Sequence, residues 1–262
     1  RGKGRKLLMR VKPPSDQNRM ESAFAEIADL IIRQQPCVAL TGAGISAESG
    51  IPTFRSKGGL WEKFDPTVYA SIEMFRKDPT RYWSIRGDFI RNYDAYQPNA
   101  GHTALAELEK MGLLKHVITQ NIDGLHRKAG SRSVTEIHGS LREIFCVRCG
   151  REYRAPSIPA GLPPLCECGG LLKPNTVLFG ESLPPRGLET AWRESSACRV
   201  MLVIGTSAVV QPAASLPYVA KEHGAALVEV NIERAVAGSD HFLEGKAGTM
   251  LPELLSEIRS LS

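Results

Sequence analysis

Apolar segments of strand length alternate along the chain with segments in which apolar residues recur at helical spacing. The stretch ESAFAEIADLIIRQ has this helical spacing and predicts a helix over about 21–35. Further helices are predicted over 98–112, near 185–195, in PAASLPYVAKEHG and in the amphipathic C-terminal TMLPELLSEIRSL. The segments with the character of strands are PCVALTGAG, HVITQN, VTEIHG, RVMLVIGTS and AALVEVN. This alternation predicts an α/β fold in which helices cover both faces of a parallel sheet.

Polar residues follow four of the predicted strands at the point where each strand ends. They occur in the short sequences TGAG, TQNID, GTSA and EVN. Ligands of parallel α/β sheets bind outside the carboxyl ends of the strands, which all meet at one edge. The four clusters therefore predict one binding crevice.

Two segments interrupt the alternation of strands and helices. Residues 67–98 carry many aromatic residues and predict short helices, whereas 144–173 is rich in proline and glycine and has little periodicity. From Gly50 to Pro66 the sequence predicts a long loop. Loops of this length are uncommon in compact domains and are often functional, so we expect a functional role for this one.

The net charge of +5 is concentrated at the N-terminus of the 262-residue chain. Residues 1–12 contain six lysines and arginines and no acid, and the remaining chain has 27 basic and 28 acidic residues. We predict a basic, flexible tail over 1–20, for which contact with nucleic acid is an open alternative. No apolar run is long enough for a membrane span and no signal peptide is evident, so we expect a cytoplasmic protein without membrane contact.

Four cysteines have the spacing of a metal site. Cys146-x2-Cys149 is separated by sixteen residues from Cys166-x-Cys168. Zn²⁺ favours four thiolates in a tetrahedron, and such a site has no open position for catalysis. We predict one structural zinc ion per chain, with a redox-active pair as the minor alternative.

The sequence TGAGISA matches a dinucleotide-binding fingerprint with alanine in the last position. Gly42, Gly44 and Ala47 occupy its three small-residue positions. The glycines permit a tight turn and a close approach of backbone amides to a pyrophosphate. The acidic residue expected about 20 positions later is not evident, which disfavours a standard hydride-transferring dehydrogenase.

A histidine follows another predicted strand in EIHGS. His138 is placed at a strand end near the predicted dinucleotide site, where it is suited to act as a general base. His126, in TQNIDGLHRKAG, has an ambiguous role. We interpret the other four histidines as structural, namely His102, His116, His223 and His241.

Taken together, the motifs resemble those of sirtuins, the NAD-dependent protein lysine deacylases, over about 23–258. The resemblance is to the prokaryotic type with a compact zinc module. It rests on the four-cysteine set and on GAGISAESGIPTFR, TQNIDGLHRKAG, EIHGS, LKPNTVLFGE, GTSAVVQPA and VEVN, which occur in the family's order.

The resemblance implies a division of the chain into two lobes. A Rossmann-like NAD-binding domain would comprise 21–60, 101–143 and 174–262. A smaller lobe would combine a helical insert, 61–100, with the zinc module, 144–173.

The resemblance also implies roles for individual residues. The catalytic set would be His138, Asn121, Gln120 and Arg55. Residues expected to contact NAD are Gly42, Ala43, Gly44, Ala47, Glu48, Thr53, Phe54, Arg55, Trp61, Gln120, Asn121, Ile122, Asp123, His138, Gly205, Thr206, Ser207, Asn231, Ile232, Glu233 and Ala247. An extended peptide carrying the acylated lysine would pair with the backbone of Val177–Glu181, so that its expected contacts are Val177, Phe179, Gly180 and Glu181.

The chemistry implied by the resemblance consumes NAD as a co-substrate. The acyl oxygen attacks the nicotinamide ribose, nicotinamide leaves, and His138 acts as base for a ribose hydroxyl. The products are free lysine and O-acyl-ADP-ribose. The alternatives that use the same residues are protein mono-ADP-ribosylation and removal of acidic acyl groups. A zinc-ribbon nucleic-acid module is a further alternative from another class.

One departure from the family bears on the acyl group. Sirtuins that prefer succinyl- or malonyl-lysine carry Tyr-x-x-Arg in the helical insert, and the corresponding slot here holds Arg86-Gly87-Asp88-Phe89. We therefore predict a preference for neutral acyl groups such as acetyl. On this interpretation Arg86 is a surface residue, although it remains open whether it meets an acidic acyl chain from another direction.

Overall fold

The computed structural model describes residues 16–51 and 66–261. Within these ranges the strands are β1 (Cys37–Thr41), β2 (His116–Thr119), β3 (Val134–Glu136), β4 (Gly139–Cys146), β5 (Glu152–Arg154), β6 (Leu172–Thr176), β7 (Val200–Ile204), β8 (Ala226–Asn231) and β9 (His241–Glu244). The α-helices are α1 (Asp16–Arg33), α2 (Pro66–Tyr69), α3 (Ile72–Lys77), α4 (Pro79–Arg91), α5 (Ala100–Lys110), α6 (Leu125–Lys128), α7 (Pro185–Ala197), α8 (Leu216–Glu222) and α9 (Ala247–Leu261).

Six strands form one parallel sheet in the order β3-β2-β1-β7-β8-β9. Residues of β7 alternate between two hydrophobic cores. Val200, Leu202 and Ile204 belong to the core on one face, and Met201 and Val203 belong to the core on the other. A strand buried on both faces needs apolar residues at every position, which explains the uninterrupted run VMLVI.

Helices cover both faces of this sheet, as the sequence predicts. One core contains residues of α1, α5 and α9, among them Ile27, Leu105 and Leu254. The other contains residues of α7 and α8, such as Ala191 and Leu216. The predicted α/β fold is therefore confirmed. Two elements of this region, β9 and the short α6, were not predicted from the sequence.

A second sheet, antiparallel and three-stranded, forms the smaller lobe in the order β5-β4-β6. It packs against α3 and α4 through a third core that contains Tyr82, Trp83 and Leu172. The indole nitrogen of Trp83 donates to the carbonyl oxygen of Leu172 over 3.1 Å, which joins the helical insert to β6.

The element boundaries differ from the predicted segment boundaries at three places. Helix α1 begins at Asp16, inside the segment 1–20 that we predicted as a flexible tail. Strand β4 begins at Gly139 and β6 ends at Thr176, so the small sheet extends past both ends of the predicted zinc module. The sequence gives little sign of these strands because polar residues interrupt both GSLREIFC and LKPNT.

Among the described residues, no helix is both long enough and apolar enough to cross a membrane.

Candidate active site and metal centre

The carboxyl ends of β1, β2, β7 and β8 line one large cavity of about 1410 Å³. The cavity continues to the smaller lobe through Val177–Glu181, which follow β6. The predicted site residues that line it are Gly42, Ala43, Gly44, Ala47, Glu48, Gln120, Asn121, Ile122, His138, Val177, Phe179, Gly180, Glu181, Gly205, Thr206, Ser207, Asn231, Ile232, Glu233 and Ala247. Thr53, Phe54, Arg55 and Trp61 lie outside the described residues.

Two loops approach each other closely at the base of this cavity. A Cβ atom at Gly44 would lie 2.7 Å from the Cα atom of Gly205, and one at Gly42 would lie 2.8 Å from the Gly205 oxygen. The Gly44 amide donates to that oxygen over 2.8 Å. The helix expected after the fingerprint is a seven-residue 3₁₀ helix, Ala43–Ser49. These glycines therefore bring the β1 and β7 loops into contact, a requirement that the fingerprint alone does not reveal.

Asp123 lies behind the cavity rather than in its lining. It is buried, and its Oδ2 accepts from the Ser46 hydroxyl over 2.7 Å while its Oδ1 accepts from the Leu125 amide over 2.9 Å. The Asn121 side-chain nitrogen donates to Ser46 Oγ over 3.1 Å and to the Gly42 oxygen over 3.0 Å. Burial raises the pKa of Asp123, and the two hydrogen bonds partly oppose that shift. These contacts fix the orientation of the Asn121 amide.

Two buried histidines extend this network below the sheet edge. His126 Nε2 lies 2.8 Å from Thr41 Oγ1, and its ring lies 4.9 Å from the ring of His102. His102 Nε2 lies 3.4 Å from Ser46 Oγ. Burial lowers the pKa of His102 to about 4 and that of His126 well below its usual value. Both rings are therefore neutral near pH 7. His102 is structural, as expected, but its connection to the site has no local signature in the sequence.

His138 is half-buried at the meeting point of the two sheets. Its Nδ1 lies 2.9 Å from the carbonyl oxygen of Gln120. A carbonyl accepts only, so Nδ1 carries the proton and Nε2 retains the lone pair that a base needs. Burial lowers the pKa of His138, and the hydrogen bond to Gln120 acts in the opposite direction. The imidazole is consequently a neutral base at pH 7.

The glycine after His138 has a clear structural reason. Gly139 has a φ of 78°, and a Cβ atom there would lie 2.1 Å from the carbonyl oxygen of Asn175. Any side chain at this position would separate β4 from β6. The dipeptide His-Gly therefore places the imidazole where the small sheet starts.

The far end of the cavity is also organised by side-chain amides. Gln120 Nε2 donates to Thr206 Oγ1 over 2.9 Å, and Asn231 Nδ2 donates to the Thr206 carbonyl over 2.8 Å. Glu48 accepts from the Gly248 amide over 2.7 Å at the start of α9. These bonds hold the ends of β2, β7 and β8 in a fixed arrangement.

The segment Val177–Glu181 already uses one of its edges. The Phe179 amide donates to the Ala70 oxygen over 2.9 Å, and the Phe179 oxygen accepts from the Ile72 amide over 3.0 Å. Glu181 accepts from the Leu178 amide and forms an ion pair with Lys173, both at 2.9 Å. An extended peptide that pairs with this segment therefore has to use its other edge.

Arg86 is buried, contrary to the prediction that it is a surface residue. Only 9% of the residue is exposed, and it lines the same cavity as His138. It lies on the face of α4 that also buries Tyr82 and Trp83, because residues one turn apart share a helix face. The prediction failed because a single charged residue in a polar-rich helix gives no sign of the direction that it faces.

The four predicted metal-binding cysteines meet at the end of the small sheet. Their Sγ atoms all lie within 4.8 Å of one another, with Cys146 and Cys168 at 3.5 Å and Cys149 and Cys166 at 3.6 Å. Four sulfurs around Zn²⁺ are about 3.8 Å apart when each Zn–S bond is about 2.3 Å. The sulfur arrangement thus fits a zinc ion, and the four-cysteine prediction is confirmed as a possible metal centre.

The sequence model of the Sir2 family matches residues 42–212, which is more than half of the chain. The chain therefore belongs to the Sir2 family, and the resemblance to sirtuins is confirmed. NAD-dependent protein deacylase 2 of Pyrobaculum aerophilum is 48% identical over 239 residues, which are 89% of this chain and 95% of that protein.

Solved structures of the family share the fold. A Sir2 homologue in complex with NAD has a TM-score of 0.83 at 46% identity, over 90% of this chain and 94% of that one. Sir2 with a p53 peptide and NAD⁺ has a TM-score of 0.83 at 36% identity, over 90% and 98%.

Proposed function

We propose that this chain is an NAD-dependent protein lysine deacylase that holds one structural zinc ion. The observation that carries the proposal is the neutral imidazole of His138 in a cavity formed by the strand ends of a Sir2-family sheet. The relative in Pyrobaculum aerophilum is named for this activity, and the compared Sir2 structures contain NAD.

The cavity fits the phosphates of NAD in the exposure of its backbone at the strand ends. At Gly42 and Gly44 there is no room for a side chain, so the main chain itself forms the floor on which the phosphates would lie. Ala43 would join these glycines in contacting the phosphates. The adenosine half would be held at the other side of the cavity by Gly205, Thr206 and Ser207, which follow β7, and by Asn231, the last residue of β8.

Asn121 and Gln120 would orient the reacting half of the cofactor. The Asn121 amide is fixed by Ser46 and Gly42, so it presents a defined hydrogen-bonding edge to the nicotinamide pocket. Asp123 would act indirectly, by holding Ser46 in place through a hydrogen bond, rather than by contacting the cofactor. Gln120 would contact the nicotinamide ribose.

His138 would accept the proton of a ribose hydroxyl. NAD, when bound, supplies the ribose carbon that loses nicotinamide and receives the acyl oxygen. The Gln120 carbonyl keeps the proton on Nδ1, so that Nε2 is available as the base. A lowered pKa keeps this base unprotonated at neutral pH.

The substrate would be a protein segment in extended form. The peptide would add to the edge of Val177–Glu181 that faces away from Ala70 and Ile72, where main-chain hydrogen bonds would provide affinity. The p53 peptide in one of the compared Sir2 structures supports a peptide substrate. The zinc ion would stabilise the lobe that carries this segment, since four thiolates leave no position open for catalysis.

Incubation with NAD and peptides that differ only in their acyl-lysine, followed by mass analysis, tests this function. We expect free lysine, nicotinamide and O-acyl-ADP-ribose in equal amounts. Protein-bound ADP-ribose without acyl-ADP-ribose would identify a mono-ADP-ribosyltransferase instead. No NAD consumption with any acyl peptide, by the zinc-loaded protein, would refute both activities.

A further inference from the structure

A lysine is buried close to the segment Val177–Glu181, which would bind the substrate peptide. Lys173, in β6, is only 6% exposed, and its Nζ lies 5.6 Å from the centre of the Phe145 ring. A lysine is almost never buried to this extent unless its charge is paired, because the ammonium group loses its hydration. Lys173 does not line the cavity, so its burial requires a partner within the chain.

The ammonium group of Lys173 bonds to both ends of this segment. Its Nζ donates to the carbonyl oxygen of Thr176, the residue before the segment, over 2.9 Å. It also lies 2.9 Å from Oε2 of Glu181, the last residue of the segment. A third acceptor, the carbonyl oxygen of Pro174, is 3.5 Å away, so each of the three ammonium protons has an acceptor. One cation therefore draws the two ends of the segment together.

Further hydrogen bonds connect this arrangement to the catalytic histidine. Glu181 Oε2 also accepts from the Leu178 amide over 2.9 Å, and the Glu181 amide donates to the Leu178 oxygen over 2.9 Å. At the other end of the segment, the Val177 amide donates to the carbonyl oxygen of His138 over 2.8 Å. The segment that would bind the peptide is thus fixed relative to the imidazole that would act as the base.

An ion pair of this kind is most damaging when only one partner is removed. Without Lys173, the partly buried carboxylate of Glu181 loses its cation, and without Glu181 the buried ammonium group loses its anion. Replacement of both partners by neutral groups avoids an uncompensated charge. A double-mutant cycle therefore distinguishes a coupled pair from two independent contributions.

We propose that Lys173 and Glu181 are a positioning pair: their ion pair holds Val177–Glu181 in the shape that accepts the acylated peptide, and neither side chain reacts. The proposal rests on the deacylase function proposed above. It gives a role to Lys173, for which the sequence indicated none. It also changes the role of Glu181, which the resemblance to sirtuins implied to be a peptide contact, because its carboxylate would act within the chain.

Steady-state kinetics with an acetyl-lysine peptide test the pair when peptide and NAD are varied in turn. Lys173→Met keeps the length of the side chain and removes its charge. We expect it to raise KM for the peptide about 10-fold, as loss of a charge-assisted hydrogen bond predicts, and to leave KM for NAD within about twofold. Lys173→Arg keeps the charge and should have an intermediate KM for the peptide. A loss of stability alone would lower the fraction of active enzyme without this selective change.

The double-mutant cycle provides the second readout. Glu181→Gln should raise KM for the peptide to a similar extent, and Lys173→Met combined with Glu181→Gln should have no larger effect than either substitution alone. The matched control is Lys110→Met, which removes the lysine of an exposed ion pair on α5 and should leave both KM values unchanged. Thermal melting checks that each variant is folded, and Lys173→Arg with Glu181→Gln serves if Lys173→Met is not.

The outcomes separate this proposal from the function on which it rests. An unchanged KM for the peptide in Lys173→Met, or equal increases in both KM values, would overturn the positioning role and leave the deacylase function intact. A double variant whose effect is the product of the two single effects would show that the residues act independently, which also overturns the pair. Failure of the wild type to turn over any acyl peptide would instead contradict the deacylase function itself.

Discussion

The parallel sheet and the small antiparallel sheet meet at the candidate active site, but they are stabilised in different ways. Strands of the parallel sheet are buried on both faces by helices. The small sheet packs on one core, and apolar residues near the cysteines stay exposed, for example Val147 at 49% and Leu165 at 46%. One wall of the site is therefore supported by cores on both faces of its sheet, whereas the other combines a single core with a metal centre.

Removal of the metal should have the largest effect, and it should affect the small sheet much more than the parallel sheet. We expect Cys149→Ala to abolish stoichiometric zinc binding and to unfold the small lobe, because a structural zinc provides about 10 kcal/mol or more in isolated zinc modules. Zinc content and hydrogen exchange measure this, and protection should be lost in β4–β6 but retained in β1 and β7.

Cys198→Ala is the matched control, since Cys198 is buried beside the parallel sheet and away from the four cysteines. Its zinc content should remain at one per chain. A metal-free Cys149→Ala protein with full activity and native protection in β4–β6 would contradict a structural role for zinc.

The next largest effect is expected where the two sheets meet. His138→Ala should lower kcat/KM by about 10³-fold, as loss of a general base typically does, with the fold unchanged. Steady-state kinetics with the preferred acyl peptide measures the loss, and circular dichroism checks the fold. His223→Ala alters an exposed histidine on the parallel-sheet side and should have wild-type kinetics. Retained rapid turnover in His138→Ala would remove the base from the proposed mechanism.

Ser46→Ala alters the hydrogen-bond network behind the parallel-sheet wall of the cavity and should have a smaller effect on activity and stability. The substitution leaves Asp123 Oδ2 without its 2.7 Å hydrogen bond and removes one of the two hydrogen bonds of the Asn121 amide. An unsatisfied buried group costs about 1–3 kcal/mol, so the melting temperature and kcat should both decrease. Ser84→Ala, at an exposed position on α4, is the control. Unchanged melting and kinetics in Ser46→Ala would show that this network does not support the site.

The smallest expected effect is on the pH dependence of the free energy of unfolding, through His102 in the same network. His102 has a pKa of about 4, below its ordinary value of 6.5, so the unfolded chain binds more protons between these pH values. Stability should therefore decrease as pH falls below about 6.5, by about 1.4 kcal/mol per pH unit for this histidine. Chemical unfolding at several pH values should give a shallower slope for His102→Asn, and an unaltered slope for His223→Asn. Equal slopes in wild type and His102→Asn would contradict a buried neutral ring.

The contrast between the two sheets also explains which features of the fold and the site could be predicted from the sequence. Continuous apolar runs and polar strand ends are local signals, and they correctly predicted five of the six parallel strands and the crevice. The cysteine spacing was equally informative about the metal centre. The network of Ser46, His102 and Asp123, by comparison, joins residues far apart in the chain, so no local sequence pattern indicates it.

The small lobe was harder to predict for a different physical reason. Its strands bury only part of their length, so period-two patterning is weak, and β5 has just three residues. Burial of Arg86 depends on which face of α4 packs against β6, and that is decided by Trp83 and its bond to Leu172. Packing within the small lobe, between segments far apart in the chain, determines these features, and local sequence does not encode it.

The two main-chain bonds that tie Phe179 to Ala70 and Ile72 have a consequence for which proteins are processed. A substrate peptide that pairs with the other edge of Val177–Glu181 would be recognised through its main-chain N–H and C=O groups, which every sequence possesses. We therefore expect tolerance toward the amino acids that flank the modified lysine. Selection among cellular targets would then follow the accessibility of unfolded or loop segments and the kind of modification they carry.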